Sequence, residues 1–179
     1  AIMLSLFIGL TVMVSADETS AVDGEISKSL FQENVPNNAA AEIYFGTKSM
    51  YADQISGIEG EGTALSDDGD ESSDECIKLY VDGTKYYIIN ETDGKIKFPA
   101  DSSAFFKEYQ KLTKLEFSNI DTSGVENMSE FFYHCWQLKS LDLSCFDTGK
   151  VRNMSNMFYE CAYLNSDAKD GPLDLSGFN

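Results

Sequence analysis

Apolar and polar residues alternate in two ways along this chain, and each pattern predicts a different element. Residues 141–143 (LDL) place one polar residue between two leucines, which is the two-residue period of a strand with one buried face. A second pattern has apolar residues every three or four positions, which favours a short helical segment, at Val125, Met128, Phe132 and Cys135. The two patterns together predict units of one strand and one short helical segment.

These units recur at a spacing of 26 residues. Residues 121–135 (DTSGVENMSEFFYHC) and 147–161 (DTGKVRNMSNMFYEC) are identical at nine of their fifteen positions. The same register extends to both sides and gives three rungs, at about 101–118, 121–144 and 147–176, the last of them with about six extra residues. A unit of this size cannot bury its apolar face alone, but stacked units can. The repetition therefore predicts an architecture, whereas a reacting centre is needed only once.

The leucine spacing L-x-x-L-x-L at 138–143 is the signature of leucine-rich repeats. It predicts an α/β fold, a leucine-rich-repeat solenoid of about three rungs within residues 101–179. The side chains expected in the repeat core are apolar and share the repeat register: Val125, Met128, Phe132, Cys135, Leu138, Leu141, Leu143, Val151, Met154, Phe158, Cys161 and Leu164.

The region before the repeats has a different pattern of apolar and polar residues. Residues 77–90 hold two runs rich in Val, Ile and Tyr on either side of Asp82-Gly83, which predicts a β-hairpin with a type I′ turn. Together with strand-like AEIYFG (41–46), this predicts a small β-rich N-terminal cap over residues 41–100. The polar residues 17–40 are expected to form a linker.

The repeat unit LDLSCFDTGKVRNMSNMFYECAYL (141–164) resembles that of the BspA-like leucine-rich-repeat surface proteins of bacteria. Asp-Thr, Asn-Met-Ser, Met/Phe-Phe and Cys recur together in it, and the resemblance covers residues 101–176. It implies an exported, surface-displayed solenoid that binds partners and in some members mediates adhesion. The six-residue insertion and the variation at Ser123-Gly124 depart from the family's pattern.

Composition agrees with export. Residues 1–16 (AIMLSLFIGLTVMVSA) are apolar and uncharged, too short for a membrane span, and end in small residues that suit signal-peptide cleavage. The net charge of −17 disfavours nucleic acid and anionic membranes as partners, because binding either requires a basic patch. A cationic partner fits such a surface. Calcium is conceivable, but the acidic run at 66–75 lacks the ligand order of an EF-hand.

Little in the sequence points to catalysis. His134 is the single histidine, and its counterpart in the next repeat is Glu160, which favours a solvated position without chemistry. The cysteines match no zinc spacing; Cys135 and Cys161 are expected to be buried thiols, whereas pairing of Cys76 or Cys145 stays open. No nucleophile–base pair or phosphate loop is present, so we predict no enzyme, no catalytic residue, no metal and no cofactor.

One column of acids is a candidate binding stripe. Glu116, Asp142 and Asp174 occupy the same place between the apolar residues of each expected strand. In a stacked sheet they would align on the exposed face, where they could meet a cationic partner or simply be solvated. Tyr133 and Tyr159 are also equivalent by repeat, and they suit recognition as well as packing at the core edge.

These observations favour a non-enzymatic secreted or cell-surface protein that recognises another protein, from a host or from bacteria, through its repeat surface. The alternative is a scaffold or stalk of a larger exported enzyme whose catalytic domain lies outside these residues.

Overall fold

The computed structural model describes residues 21–60, 62–66, 76–164, 166 and 173–178 of the chain. The signal peptide expected at 1–16 lies outside the described residues, as do most of the acidic run at 66–75 and most of the insertion at 166–172. Within the described ranges, no helix has the length and apolar character needed to cross a membrane.

The prediction of an α/β leucine-rich-repeat solenoid is wrong, because the described residues are mostly β-structure with only two short helices. Both helices precede the repeats: α1 is Lys28–Asn34 and α2 is Lys48–Ile55. The strands, numbered β1 to β8 in chain order, are Gly24–Glu25, Glu42–Thr47, Thr63–Ala64, Ile77–Asp82, Lys85–Asn90, Ile96–Lys97, Lys114–Phe117 and Ile120–Asp121.

The strands form two sheets that join the N-terminal region to the first repeat unit. A five-stranded mixed sheet has the order β3-β4-β5-β2-β7, and a three-stranded parallel sheet has the order β1-β6-β8. β2 is central and parallel to both of its neighbours, β5 and β7. Because β7 and β8 follow residue 100, the expected cap at 41–100 does not have a sheet of its own.

The predicted β-hairpin is confirmed, but its turn lies one residue later than expected. β4 and β5 pair antiparallel, and Asp82 faces Lys85 across the turn. Gly83 and Thr84 are therefore the central residues, and of the two only Gly83 has a positive φ, of 60°. This is the pattern of a type II′ turn with glycine at its first central position, and not of type I′.

The segment expected as a linker is folded in its described part. α1 begins after Ser27, whose hydroxyl accepts a hydrogen bond from the backbone N–H of Leu30 at 3.4 Å. Phe31 of this helix is completely buried, and its ring centroid lies 4.7 Å from that of Phe105. α1 thus covers the side of the first repeat unit that faces the N-terminus, where Gln32 Nε2 donates to the carbonyl oxygen of Ala104 at 2.9 Å.

The segments expected to be helical are instead chains of tight turns, which we call turn segments: residues 101–112, 127–138 and 153–164. In the second, the N–H groups of Phe131, Tyr133 and Cys135 each donate to the carbonyl three residues earlier. Two residues per turn segment have positive φ angles near 60°: Ala104 and Glu108, Glu130 and His134, and Asn156 and Glu160. A left-handed residue every fourth position interrupts any α-helix, so the apolar spacing of about three reflects consecutive β-turns.

The alternate N–H groups bond to the next turn segment. Phe106 donates to the carbonyl of Phe131 at 2.9 Å, and Phe132 donates to that of Met157, also at 2.9 Å. Asp101 pairs with Asn127, and Asn127 with Asn153, in parallel bridges. Each backbone therefore satisfies its polar groups half within its own turns and half with its neighbour, as buried backbone requires.

A column of phenylalanines runs through the three turn segments and into the sheet core. The Phe106 and Phe132 rings stack at 5.7 Å, and Phe132 and Phe158 stack at 5.5 Å. Phe106 and Phe132 are fully buried, whereas Phe158 is only partly buried. The N-terminal region and the repeats share this core.

The strand expected at 141–143 does not form in the structure, in which these residues have no ladder partner. β7 uses its hydrogen bonds to pair with β2 and ends the five-stranded sheet there. Leu143 is 2% exposed and Leu141 is half-buried. The alternation of apolar and polar residues at 141–143 therefore indicates which side of the segment faces the core. This does not require the segment to pair in a sheet.

Candidate functional site

The residues expected in the repeat core differ in burial along the chain. The members that are fully or almost fully buried are Val125, Met128, Phe132, Cys135, Leu138 and Leu143. The members that are partly buried and pack against the same core are Leu141, Val151, Met154, Phe158, Cys161 and Leu164. The partly buried set lies almost entirely in the third unit, where the core reaches the surface.

The two repeat cysteines have a structural role that the sequence did not suggest. The Cys135 thiol donates to the carbonyl of Phe106 at 3.1 Å, and the Cys161 thiol donates to that of Phe132 at 3.0 Å. Burial raises the pKa of both thiols, that of Cys161 to about 11, so neither is an activated nucleophile. Together with the exposed Cys145, these are free thiols. Cys76 is buried.

The acidic column does not form a continuous stripe. Glu116 lies on β7, and its carboxylate is 2.7 Å from Lys114 Nζ. Asp142 and Asp174 lie outside the strands and are close enough to each other that Asp174 slightly opposes ionisation of Asp142. The structure therefore places one of the three acids in an ion pair on a strand and the other two outside the strands. Partner binding at these residues stays a prediction.

Each of these two aspartates already makes a local hydrogen bond. Asp142 Oδ1 accepts from the N–H of Ser144 at 2.9 Å, and Asp174 Oδ1 accepts from that of Ser176 at 2.8 Å. Asp101, Asp121, Asn127 and Asn153 use the same Asx-turn toward the residue two positions later. The backbone N–H of Ser144 lowers the pKa of Asp142, so the carboxylate holds a turn as an anion.

A second group of side chains presents aromatic surface to solvent at the corners of the second and third turn segments. We call it the aromatic cluster: Tyr133, His134, Trp136, Tyr159 and Tyr163. Three of its members are large and well exposed, namely Trp136 at 43%, Tyr159 at 49% and Tyr163 at 55%. Isolated exposed aromatics are ordinary, but a group on neighbouring segments is characteristic of interaction surfaces.

Stacking holds the aromatic cluster in a defined arrangement. The rings of Tyr133 and Tyr159 lie 5.1 Å apart and are inclined by 13°. His134 stacks on Tyr133 at 4.1 Å and meets Trp136 edge-on at 5.9 Å. The backbone N–H of Tyr163 donates to the carbonyl of Trp136 at 3.2 Å, which joins the last member to the group. Ring pairs at these separations attract each other beyond their simple area burial.

Charged groups surround the cluster on both sides. Lys107 Nζ lies 4.9 Å from the centroid of the Tyr133 ring and 2.7 Å from Glu130 Oε2. On the other side, Glu160 Oε2 lies 3.0 Å from His134 Nε2. The negative charge of Glu160 raises the pKa of the neighbouring Tyr159 hydroxyl. The cluster therefore combines π faces and carboxylates, which is the chemistry that attracts cationic groups.

The repeat architecture explains how the cluster forms. Lys107, Tyr133 and Tyr159 are 26 residues apart, as are Glu108, His134 and Glu160. The turn segments stack in register, so equivalent side chains come together at each corner. The residues of the second set, Glu108, His134 and Glu160, all have positive φ.

The part of the chain that the structure describes contains no candidate metal centre. Within it, no group of three His, Cys, Asp or Glu side chains could hold a metal ion. The aromatic cluster is the feature in which exposed side chains of several segments converge.

Comparison with known proteins finds a similarity to a sequence family in the repeat region. Residues 98–173 match the family model described as "Mycoplasma protein of unknown function, DUF285". The match includes all three turn segments and the whole aromatic cluster, and it covers less than half of the chain. No curated protein and no solved structure matches.

Proposed function

We propose that this chain is a non-enzymatic secreted or cell-surface protein that binds a protein partner, in the manner of an adhesin, through the aromatic cluster. The observation that carries the proposal is the exposure of Trp136, Tyr159 and Tyr163 on adjoining turn segments. Tyrosine and tryptophan are enriched among the residues that dominate binding energy at protein interfaces. Export is supported by the apolar segment 1–16.

The rigidity of the cluster adds to the proposal. Tyr133 is only partly exposed and stacks directly beneath Tyr159, while His134 bridges Tyr133 and Trp136. Side chains that are already ordered lose little conformational freedom when a partner binds. Aromatic rings with two χ angles have little such freedom to lose in any case.

The proposal is tested by adhesion of beads coated with this protein to surfaces carrying purified extracellular-matrix proteins or whole bacterial cells. The triple variant Trp136→Ala, Tyr159→Ala, Tyr163→Ala is expected to lose at least about tenfold in adhesion, because truncation of one central aromatic already weakens binding by about 2 kcal/mol or more.

The matched control replaces three equally exposed apolar residues elsewhere, Val22, Met50 and Val81, with Ser. It should adhere as the unmodified chain does. Equal adhesion of the triple aromatic variant, with its circular dichroism unchanged, would remove the cluster from the binding surface.

A further inference from the structure

The aromatic cluster already holds one cation, and this internal contact indicates the chemistry of the ligand. Lys107 Nζ lies over the Tyr133 ring at 4.9 Å and contacts the carboxylate of Glu130 at 2.7 Å. The bond to Glu130 raises the pKa of the Lys107 ammonium group and so favours its charged form. An ammonium group held between a π face and a carboxylate is a cation–π site with a counter-ion.

The other end of the tyrosine stack repeats these components without a cation. Tyr159 lies against Tyr133 at 5.1 Å, its side chain is 49% exposed, and Glu160 follows it in the sequence. Glu160 has 47% of its side chain exposed. Two further exposed rings belong to the cluster: that of Trp136, which contacts His134, and that of Tyr163, whose backbone N–H donates to the carbonyl of Trp136. Among the described residues, no Lys or Arg nitrogen lies over the ring of Tyr159.

The charge of the whole protein favours the same ligand. At a net charge of −17, the chain creates a negative potential that attracts cationic partners and speeds their encounter. An acidic or a neutral segment would gain nothing from this field. In the part of the chain that the structure describes, Glu160 makes one ion-pair contact, with His134, which carries a charge only when it is protonated.

We propose that the aromatic cluster binds a basic segment of a partner protein, with an arginine or lysine side chain placed on Tyr159 beside Glu160, as Lys107 is placed on Tyr133. The proposal rests on the function proposed above and adds the chemical class of the partner. Arginine suits the site better than lysine, since its planar guanidinium stacks on rings and is less strongly hydrated.

The test measures binding of a short peptide that alternates arginine and glycine to the immobilised full chain by biolayer interferometry. Its control is the same peptide with citrulline in place of arginine, which keeps the shape and removes the charge. The arginine peptide is expected to bind, and the citrulline peptide to bind at least about tenfold more weakly, since both the cation–π contact and the carboxylate contact are lost.

Two substitutions separate the aromatic site from the general negative field, because neither changes the charge of the protein near neutral pH. Tyr159→Leu keeps apolar volume but removes the π face, and it should lower the affinity about 2- to 30-fold. Tyr159→Phe keeps the π face and should bind as the unmodified chain does. Equal affinity of the Leu variant and the unmodified chain would overturn the proposal, since attraction would then come from the field alone.

The outcomes also distinguish this proposal from the proposed function. If the arginine peptide fails to bind, or if the citrulline peptide binds equally well, the partner is not recognised by its positive charge. Loss of adhesion in the triple aromatic variant would then still support the binding role of the cluster. If both experiments fail, the cluster is not a binding surface.

Discussion

The N-terminal region and the repeat region share one core, but they hold their backbones in different ways. In the N-terminal region, β4 and β5 pair over six residues each, and β2 has a parallel strand on both sides. In the turn segments, N–H groups bond alternately to a carbonyl three residues back and to the next segment. Both arrangements satisfy the polar groups of a buried backbone. They differ in backbone conformation, since each turn segment contains two non-glycine residues with positive φ.

The two regions also differ in how completely the core is enclosed. Phe31 and Phe45 of the N-terminal region are fully buried, as are Phe106 and Phe132 of the first two turn segments. Phe158, the equivalent residue of the third, is only partly buried. The repeats therefore become less enclosed with distance from the sheets, although they share the same apolar register. Position in the stack, and not the motif, determines how much each unit stabilises.

The largest expected effect compares equivalent phenylalanines in adjacent turn segments. Phe132→Ala should lower the free energy of unfolding by about 3–5 kcal/mol, because it removes a fully buried ring that stacks on both sides. Phe158→Ala should cost roughly half as much, since part of its surface already contacts water. Urea denaturation followed by circular dichroism measures both.

Equal losses for the two variants would mean that Phe158 is as well covered in solution as Phe132. The difference between the turn segments would then disappear. Val81→Ala, at an exposed position of the hairpin, serves as the control and should change stability by less than about 0.5 kcal/mol.

The sequence predicts the hairpin and the apolar positions of the repeats better than it predicts the backbone that carries them. Asp82-Gly83 located the turn to within one residue, because glycine is strongly favoured at the positive φ of a two-residue hairpin turn. Val125, Met128 and Cys135 were expected in the core and are buried. Over ten residues, however, a spacing of three from successive turns cannot be distinguished from the 3.6-residue period of a helix.

The left-handed residues explain why the helices were expected. A β-turn with a positive φ can usually be predicted from sequence, because Gly or Asn occupies the residue of positive φ. Here Asn156 is the one such residue among the six, and Glu108, Glu130, His134 and Glu160 carry long side chains instead. The N–H groups of Glu108, Glu130 and His134 donate to carbonyls of the next segment, for example that of Glu130 to Ser155. Such tertiary constraints leave no local signal.

The candidate site was predictable only where it follows the repeat. Tyr133 and Tyr159 are equivalent by repeat, and the sequence left open whether they serve recognition or packing at the core edge. Trp136 and Tyr163 have Ala162 and Gln137 as their repeat equivalents, so no periodic signal links them. They come together through the backbone bond from Tyr163 to Trp136, which depends on the stacking of the segments. The acidic column was expected to lie on paired strands, and residues 141–143 form no strand, whereas binding at Glu116, Asp142 and Asp174 stays a prediction.

A second, intermediate effect tests the positive φ angles in each region. Gly83→Ala in the hairpin should destabilise by about 1–2 kcal/mol, since an L-residue is strained at a φ of 60°. In the turn segments the strain is already present at Glu108, whose φ is 66°. Glu108→Gly should therefore be more stable than Glu108→Ala by about 0.5–1 kcal/mol, after the greater flexibility of unfolded glycine is allowed for.

Comparison of glycine with alanine at position 108 isolates the backbone, because both substitutions remove the same carboxylate. Thermal unfolding of the three variants gives the differences. If Glu108→Gly is the less stable of the pair, residue 108 does not adopt a left-handed conformation in solution, and the description of the turn segments as successive β-turns fails there.

The prediction with the smallest expected effect concerns stability as the pH falls. It compares one carboxylate in each region. Asp93 accepts the N–H of Ser49 at the start of α2, and Asp121 accepts that of Ser123 before the second turn segment. Hydrogen bonds from Ser49 and Ser123, respectively, lower the pKa of the two carboxyl groups. A lowered folded-state pKa gives stability that is present above the unfolded value of about 3.9 and is lost below it.

Asp93→Asn and Asp121→Asn keep an oxygen that can accept the same hydrogen bond, so each removes mainly the charge. Relative to the unmodified chain, both variants should be slightly less stable at pH 7, and the difference should vanish as the pH falls from about 5 to about 2. For each variant, the curve of stability against pH is subtracted from that of the unmodified chain. This subtraction cancels the general relief of repulsion among the many acids of the chain. A difference that stays constant across this range would mean that the charge does not contribute and that the Asx-turn depends on the hydrogen bond alone. If only Asp93→Asn shows the pH dependence, the helix start relies on the anion, whereas the turn segments rely on geometry.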